Sequence, residues 1–385
     1  MRTLRILYVI SQPVRWAIFE NLYREHEKSH FDPSFVILSQ ASPALLGSLQ
    51  RAGAQAEHLR YGGKHHLPFV VPRLRRLCLD RRIDVVHAHF MDACLVGLIA
   101  ARLAGVRVRV HTRHHAGPYP ADHREPWGLF LDRLNNAAST HIIAPSDQAR
   151  QALLLTDGVP EDKTRVVRHG FDLDDFRAPS PERVAGVRTR WGIPDGGPVV
   201  GVVARYERIK GVHTVVSAFE RLLERFPNAV LVLANARGRN APGIHALLGR
   251  LPPDRYAEIP FEEDNAALYK LFDVLVHVPL RPDFEGFGMP YVEALASGTP
   301  SIVAPAGVGC EILEHQRNAW VVASENCEAI CEGLIAVLTD RRLRSTLIEH
   351  GFRTARSFGI GPMVRSLEAL YVEAVTAATP AHAGA

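Results

Sequence analysis

Short apolar runs rich in Val, Ile and Leu recur along the chain, each separated from the next by a segment long enough to hold a helix. In the first half they cover 4–10, 35–38, 84–90, 106–111 and 140–144; in the second, 198–204, 229–234, 274–278 and 301–304. Runs of this length with few polar interruptions predict strands covered on both faces, as in a parallel sheet flanked by helices. The intervening segments carry helix signals. Ser146 precedes Asp147-Gln-Ala-Arg-Gln-Ala-Leu-Leu as an N-cap, and 212–225 is amphipathic. Pro290 stands where a first helical turn tolerates its missing N–H, and Gly298 where that helix would stop. Helices are also expected over 265–272, 327–338, 341–358 and 362–377.

The alternation of strand and helix predicts an α/β protein of two Rossmann-like, doubly wound domains. Ala-Pro-Ser-Pro and Pro-Asp-Gly-Gly-Pro break the pattern within 176–198 and mark a hinge. The expected division is an N-terminal domain over 1–176, a second over 177–360, a terminal helix over 361–377, and a disordered tail over 378–385.

Composition supports this picture and narrows the compartment. With 385 residues, 47% hydrophobic and 22% charged, the chain can bury two cores. It contains no apolar stretch of membrane-spanning length, and the apolar run after Met1 is too short for a signal peptide, so an opening strand is expected. The five scattered cysteines form no Cys-x-x-Cys and suit a reducing cytoplasm, with a peripheral position at the inner membrane face as an alternative. Of the formal charge of +4, residues 1–178 contribute +6 (24 Lys/Arg against 18 Asp/Glu) and the rest −2 (21 against 23). A basic first half suits an anionic acceptor or membrane surface, yet it is too mild and too poor in interleaved aromatics for nucleic acid. The arginine-rich segment 70–82 reads either as a solvated helix face or as a face that docks on anionic headgroups.

Candidate chemistry concentrates in 281–293, Arg-Pro-Asp-Phe-Glu-Gly-Phe-Gly-Met-Pro-Tyr-Val-Glu. A strand runs into a loop with one carboxylate, Glu285, followed by Gly286, Phe287, Gly288 and Met289; Glu293 lies one turn inside the next helix. Glycines admit a close ligand and a helix start attracts anions, while carboxylates suit hydroxyl groups. A ligand with both hydroxyls and phosphate, a nucleotide sugar, satisfies all three. Arg205 and Lys210, at the carboxyl end of an earlier strand, can converge on a diphosphate. His87, His89, His111, His114 and His115 fall at or after strand ends, but no carboxylate or cysteine completes a metal set, so no metal is assigned. The Pro-rich segment after His115 is either a plain connection or a loop bending over an acceptor.

With seven residues between them, Gly-Phe-Gly-Met-Pro-Tyr-Val, and Ala-Leu-Ala-Ser-Gly-Thr-Pro following, Glu285 and Glu293 resemble the paired-glutamate motif of retaining glycosyltransferases of GT-B fold, the large family 4 (group 1). The resemblance covers nearly the whole chain and is most specific over 198–312. It implies two domains facing a central cleft, an acceptor-binding N-domain, a donor-binding C-domain, and a last helix crossing back to the N-domain. It further implies that Glu285 holds sugar hydroxyls, Glu293 the ribose, and Gly286 to Met289 the sugar and phosphate. Arg205 and Lys210 match the family's Gly-Arg-Leu…Lys-Gly motif, with Ala204 and Tyr206 as departures. Backbone at Glu258 and Ile259 would meet the base, and His114, with His115 as its rival, a distal sugar hydroxyl. The implied catalytic set is Arg205, Lys210, Glu285 and His114, and no cofactor is required beyond the nucleotide-diphosphate sugar as co-substrate. On the acceptor side stand Ser11, Gln12 and His115, where Ser11-Gln-Pro13 lacks the glycine pair common in the family. His169 replaces the Asn of a second family segment. The implied activity is retaining transfer to a hydroxyl acceptor (saccharide, lipid-linked or small molecule) in polysaccharide, glycolipid or metabolite synthesis. Rival readings are an epimerase or sugar phosphorylase on the same fold, or a non-catalytic nucleotide-sugar binder. A plain dinucleotide dehydrogenase is disfavoured, because Gly286-Phe-Gly288 does not complete Gly-x-Gly-x-x-Gly and no such fingerprint follows Ile10.

Overall fold

The computed structural model describes residues 2–11, 17–117 and 128–378. Gln12, most of the Pro-rich segment after His115, and all but the first residue of the expected tail lie outside them. The chain forms two compact units: one runs up to Gly170 and is rejoined by the chain from Ile360, and the other covers Phe171–Gly359.

The first unit is built on seven parallel strands: β1 (Leu4–Ser11), β2 (Phe31–Ser39), β3 (Gln55–Arg60), β4 (Val85–His89), β5 (Val108–Thr112), β6 (His141–Ala144) and β7 (Thr164–Val166), in the order β3-β2-β1-β4-β5-β6-β7. β1 is central because every residue of it except Arg5 is buried, and it pairs on both sides, with Tyr8 opposite Phe35 and His87. The helix Ile360–Ala378 covers one face of this sheet. Its Met363, Val364, Leu367, Leu370, Tyr371 and Ala374 recur at helical spacing and join Tyr8, Phe35 and Ile37 in one core. Each large apolar side chain so buried contributes roughly 1.5–3 kcal/mol. The terminal helix therefore belongs to the first unit, as expected.

The second unit has six parallel strands: β8 (Val199–Val203), β9 (Val230–Ala234), β10 (Tyr256–Ile259), β11 (Val274–His277), β12 (Ser301–Val303) and β13 (Trp320–Val321), in the order β10-β9-β8-β11-β12-β13. In each sheet the strand order reverses beside the first strand, at β1/β4 and at β8/β11. Connections leave such a point in opposite directions and open a crevice at the carboxyl ends of the strands. No helix among the described residues is long and apolar enough to cross a membrane.

The units divide earlier than the sequence-based boundary at 176. The Phe171 N–H bonds the Phe358 carbonyl (2.8 Å) and its ring stacks near Phe287, while Phe176 meets Tyr269 edge-on. The Pro- and Gly-rich stretch lies inside the second unit, where it frames the helix Pro181–Arg190, capped by Ser180 and anchored by Val187. Its prolines and glycines mark turns around that helix.

Several histidines sit within the first unit as hydrogen-bonded core. His87 meets the Tyr371 hydroxyl at 2.6 Å and the Thr112 hydroxyl at 2.8 Å, and His111 meets Ser139 at 2.6 Å. Burial first, and then nearby Arg113, pushes His111 down to about 3; burial brings His169 to about 4. The unfolded chain takes up protons near the ordinary value of about 6.5, whereas the folded chain refuses them until far lower pH. Stability from these groups is thus present above about 6.5 and is lost as pH falls toward about 3–4. The urea midpoint of the first unit should fall between pH 7 and pH 5, and the fall should shrink in His111→Asn; a midpoint unchanged over that range would contradict the assignment.

Candidate functional site

In the second unit the crevice at β8/β11 is furnished from both sides. Beyond β8 the chain passes Ala204 and Arg205 and makes a 3₁₀ turn over Arg208–Lys210. Gly211 follows with φ of +70°, and a Cβ there would lie 2.1 Å from the Val278 carbonyl oxygen. Only glycine lets this turn settle against the end of β11, and the helix Val212–Arg225 starts from it. β11 ends in His277, and the loop after it carries Glu285 back to the same point. Lys210 Nζ lies 2.6 Å from Glu285 Oε1, and His277 Nε2 donates to that oxygen at 3.0 Å. All three side chains are largely buried, His277 almost completely. Burial alone would raise the Glu285 carboxyl, but the Lys210 ammonium and the His277 hydrogen bond outweigh it and hold the group at about 2. Glu285 Oε2 has no hydrogen-bond partner among the described residues.

Around this cluster the other expected residues take different parts. Gly288, at φ +90°, opens the helix Met289–Ser297, with Met289 half-buried in its first turn. Gly286 is buried, and Phe287 turns its ring into an apolar cluster with Phe171, Tyr291 and Phe358 while its carbonyl accepts from the Val308 N–H at 2.8 Å. The Phe287 ring is therefore committed to packing within the second unit. Arg205 is exposed and its guanidinium has no partner among the described residues. Glu258, on β10, accepts from the Tyr206 hydroxyl at 2.7 Å and meets His245 at 3.1 Å; the Ile259 carbonyl already accepts from the Ala236 N–H at 3.1 Å.

Glu293 is in a different state from Glu285. It is 6% exposed and its Oε2 accepts from the Tyr269 hydroxyl at 2.7 Å, with no cation paired to it among the described residues. Burial raises its carboxyl to about 7, and the Tyr269 hydrogen bond only tempers this. His277 and Tyr269 were not singled out in the sequence. The first lies within an apolar strand and the second within a helix, and only a position next to a known carboxylate, invisible before folding, could have flagged them.

Of the residues expected on the acceptor side, Ser11 ends β1 and His115 follows β5, while Gln12 lies outside the described residues. The Ser11 hydroxyl accepts from the Ala93 N–H at 3.1 Å and so ties β1 to the helix Met91–Leu103. The His114 ring lies between Phe90 and His169, with centroids at 4.5 and 5.5 Å, and its Nε2 is 3.3 Å from His89 Nδ1. Burial, with His169 and His89 nearby, lowers its basicity well below the ordinary range. Phe90 holds φ 71° and ψ 157°, a conformation strained for any residue but glycine. His115 is instead bonded to Asp132 at 3.0 Å, within an ion-pair network that joins Arg113 to Asp132 and Asp157.

The raised carboxyl of Glu293 gives a signed expectation. Its folded value of about 7 exceeds the unfolded one of about 4.3, so its contribution is full below the latter and is lost as pH rises through 7. Glu293→Gln keeps the acceptor for Tyr269 and cannot ionise. It should raise thermal stability at pH 8, by up to roughly 3 kcal/mol, and change little at pH 4. Equal effects at both pH values would refute a buried, reluctant carboxyl.

Comparison with known proteins agrees with this geometry. Residues 18–175 match the model of Glycosyltransferase Family 4, and residues 187–354 that of Glycosyl transferases group 1. A D-inositol 3-phosphate glycosyltransferase of Xylanimonas cellulosilytica is 30% identical over 304 residues, 76% of this chain and 72% of that protein. Among solved structures, HepE of Anabaena in complex with UDP-glucose superposes with a TM-score of 0.81 at 19% identity, covering 96% of this chain and 100% of that one. The sucrose-phosphate synthase of Thermosynechococcus elongatus gives 0.77 at 18% identity, over 97% and 100%. The chain thus has the GT-B fold, and it belongs to the family 4, group 1 glycosyltransferases, retaining and metal-independent enzymes that use nucleotide sugars.

Proposed function

We propose that the Glu285 cluster binds the sugar–diphosphate portion of the donor and that the sugar passes, with its anomeric configuration retained, to a hydroxyl acceptor. The observation that carries this reading is the clamped carboxylate, one oxygen held by Lys210 and His277 and the other left for a ligand. Sugar hydroxyls donate to Oε2. Arg205 and Lys210 take the charge that grows on the diphosphate as the C1–O bond to phosphate breaks, and such fixed charges favour the transition state over the ground state. The bond from the acceptor oxygen to C1 forms on the same face, and the acceptor proton leaves with the phosphate oxygen. Glu293 receives the ribose, backbone at Gly286 to Met289 meets sugar and phosphate, and backbone at Glu258 and Ile259 meets the base.

UDP-glucose is the first donor to test, because HepE holds it. A phosphorylated polyol is the first acceptor class, since the relatives are named for inositol 3-phosphate and the first half of this chain carries the basic excess. One observation favours a lipid-linked acceptor instead. The helix Leu67–Asp80 exposes Arg73 and Arg76 beside Phe69, which is 76% exposed, a pattern suited to anionic headgroups. Product synthesis from the soluble polyol phosphate, or only from vesicle-borne acceptor, separates the two.

Arg205→Ala touches no packing and should lower acceptor-dependent release of nucleoside diphosphate by about 10²–10³-fold without changing Tm. Glu285→Gln should lose discrimination among donor sugars while keeping affinity for the bare nucleoside diphosphate. Wild-type turnover in Arg205→Ala, or equal losses for donor and nucleotide in Glu285→Gln, would sink the reading.

A further inference from the structure

Glu285 stands on a loop, so something other than its own backbone must fix its orientation. His277 is the last residue of β11, a central strand whose preceding residues Val274, Leu275 and Val276 are wholly buried and apolar. Packing alone would be satisfied there by another apolar side chain. The ring instead donates from Nε2 to Glu285 Oε1 at 3.0 Å, the same oxygen that Lys210 holds. Its Nδ1 is buried without a hydrogen-bond partner, so the residue is kept at the expense of an unsatisfied polar atom. The ring cannot readily turn away. Tyr291 meets it edge-on at 4.8 Å and 78°, and the Tyr291 hydroxyl is itself fixed on the Ala304 carbonyl at 2.7 Å.

We infer that His277 is a positioning residue for the transfer reaction, which engages Glu285 Oε1 from the rigid sheet and so presents Oε2 to the donor sugar. The inference rests on the assignment of Glu285 to that sugar. Lys210 neutralises the carboxylate but hangs on a flexible stem from a 3₁₀ turn; His277 supplies direction, because a ring on a strand end has one reachable geometry. A residue that merely filled space would leave the orientation of Glu285 to the flexible Lys210 alone.

The test compares His277→Phe, which keeps a ring and removes the donor, with His277→Gln, which keeps an N–H donor. In the Phe variant kcat should fall about 10–100-fold and the donor KM rise, while the Kd for the bare nucleoside diphosphate stays within twofold. The groups facing Glu285 are Lys210 on its turn, His277 on β11 and the Tyr291 hydroxyl, of which the first two hold the carboxyl low. Losing one of them raises it, so the acid limb of kcat/KM should move to higher pH, a change that packing alone does not produce. The Gln variant should recover part of both effects. If the Phe variant does not fold, His277→Leu, also without a donor, is read for the same changes. Wild-type kcat and an unmoved acid limb, or an equal loss of nucleotide affinity, would overturn the inference. Glu285→Gln measured in parallel separates the levels. If it is crippled while His277→Phe is not, this inference alone fails; if it transfers sugar normally, the parent assignment fails with it.

Discussion

A carboxylate taken out of water next to one ammonium and one imidazole is the constraint on which the second unit turns. Such a group does not stabilise a fold relative to a well-packed apolar substitute, and removing one partner from a buried pair costs roughly 3–5 kcal/mol. Glu285 and Lys210 lie 75 residues apart, so the strand order, the nested turn after β8 and the loop after β11 must all be in place before the pair can form. The arrangement is therefore costly and long-range, and it sits where the sheet reverses its strand order. The turn at Gly211 is its clearest accessory, since a side chain there would push Lys210 away from its partner.

The two glutamates of the motif show how environment divides the labour of identical side chains. Glu285 is ionised because cation and donor outweigh burial; Glu293 resists ionisation because it has only the Tyr269 hydroxyl. A fixed negative charge orients and polarises, whereas a nearly neutral carboxyl both donates and accepts. In the first unit, His114 is instead an uncharged group, kept neutral by burial and stacked between Phe90 and His169 beside the strained Phe90 backbone.

Much of the fold was legible in the sequence because central parallel strands are buried on both faces and read as unbroken apolar runs. The helix 212–225 matches its expected span, and Ser146 caps as expected, accepting from the Ala149 N–H. The apolar runs left out β3, β7, β10 and β13, the edge strands of the two sheets, each with one neighbour. Gln55-Ala-Glu-His-Leu-Arg60 buries only Ala56 and Leu59, so it presents no unbroken apolar run. The unit boundary was placed too late because Pro and Gly mark turns within units as readily as hinges between them. Lys210 and Glu285, which the structure brings together, could be named from spacing and residue type. His277 could not, since its meaning lies in a contact made only by folding, and the ion-pair network around His115 was hidden for the same reason.

The central claim is that the β8/β11 crevice is a preformed diphosphate site. The most direct measurement is a thermal-shift titration of the purified protein with UDP, GDP, ADP and dTDP, each with and without EDTA. Binding to the folded state alone stabilises it by about 2.7 kcal/mol at a hundredfold excess over Kd. The account predicts that one nucleoside diphosphate raises Tm by several degrees, that EDTA leaves the shift intact, and that Arg205→Ala abolishes it. Absence of a shift with all four at millimolar concentration, or a shift lost only on adding EDTA, would contradict it.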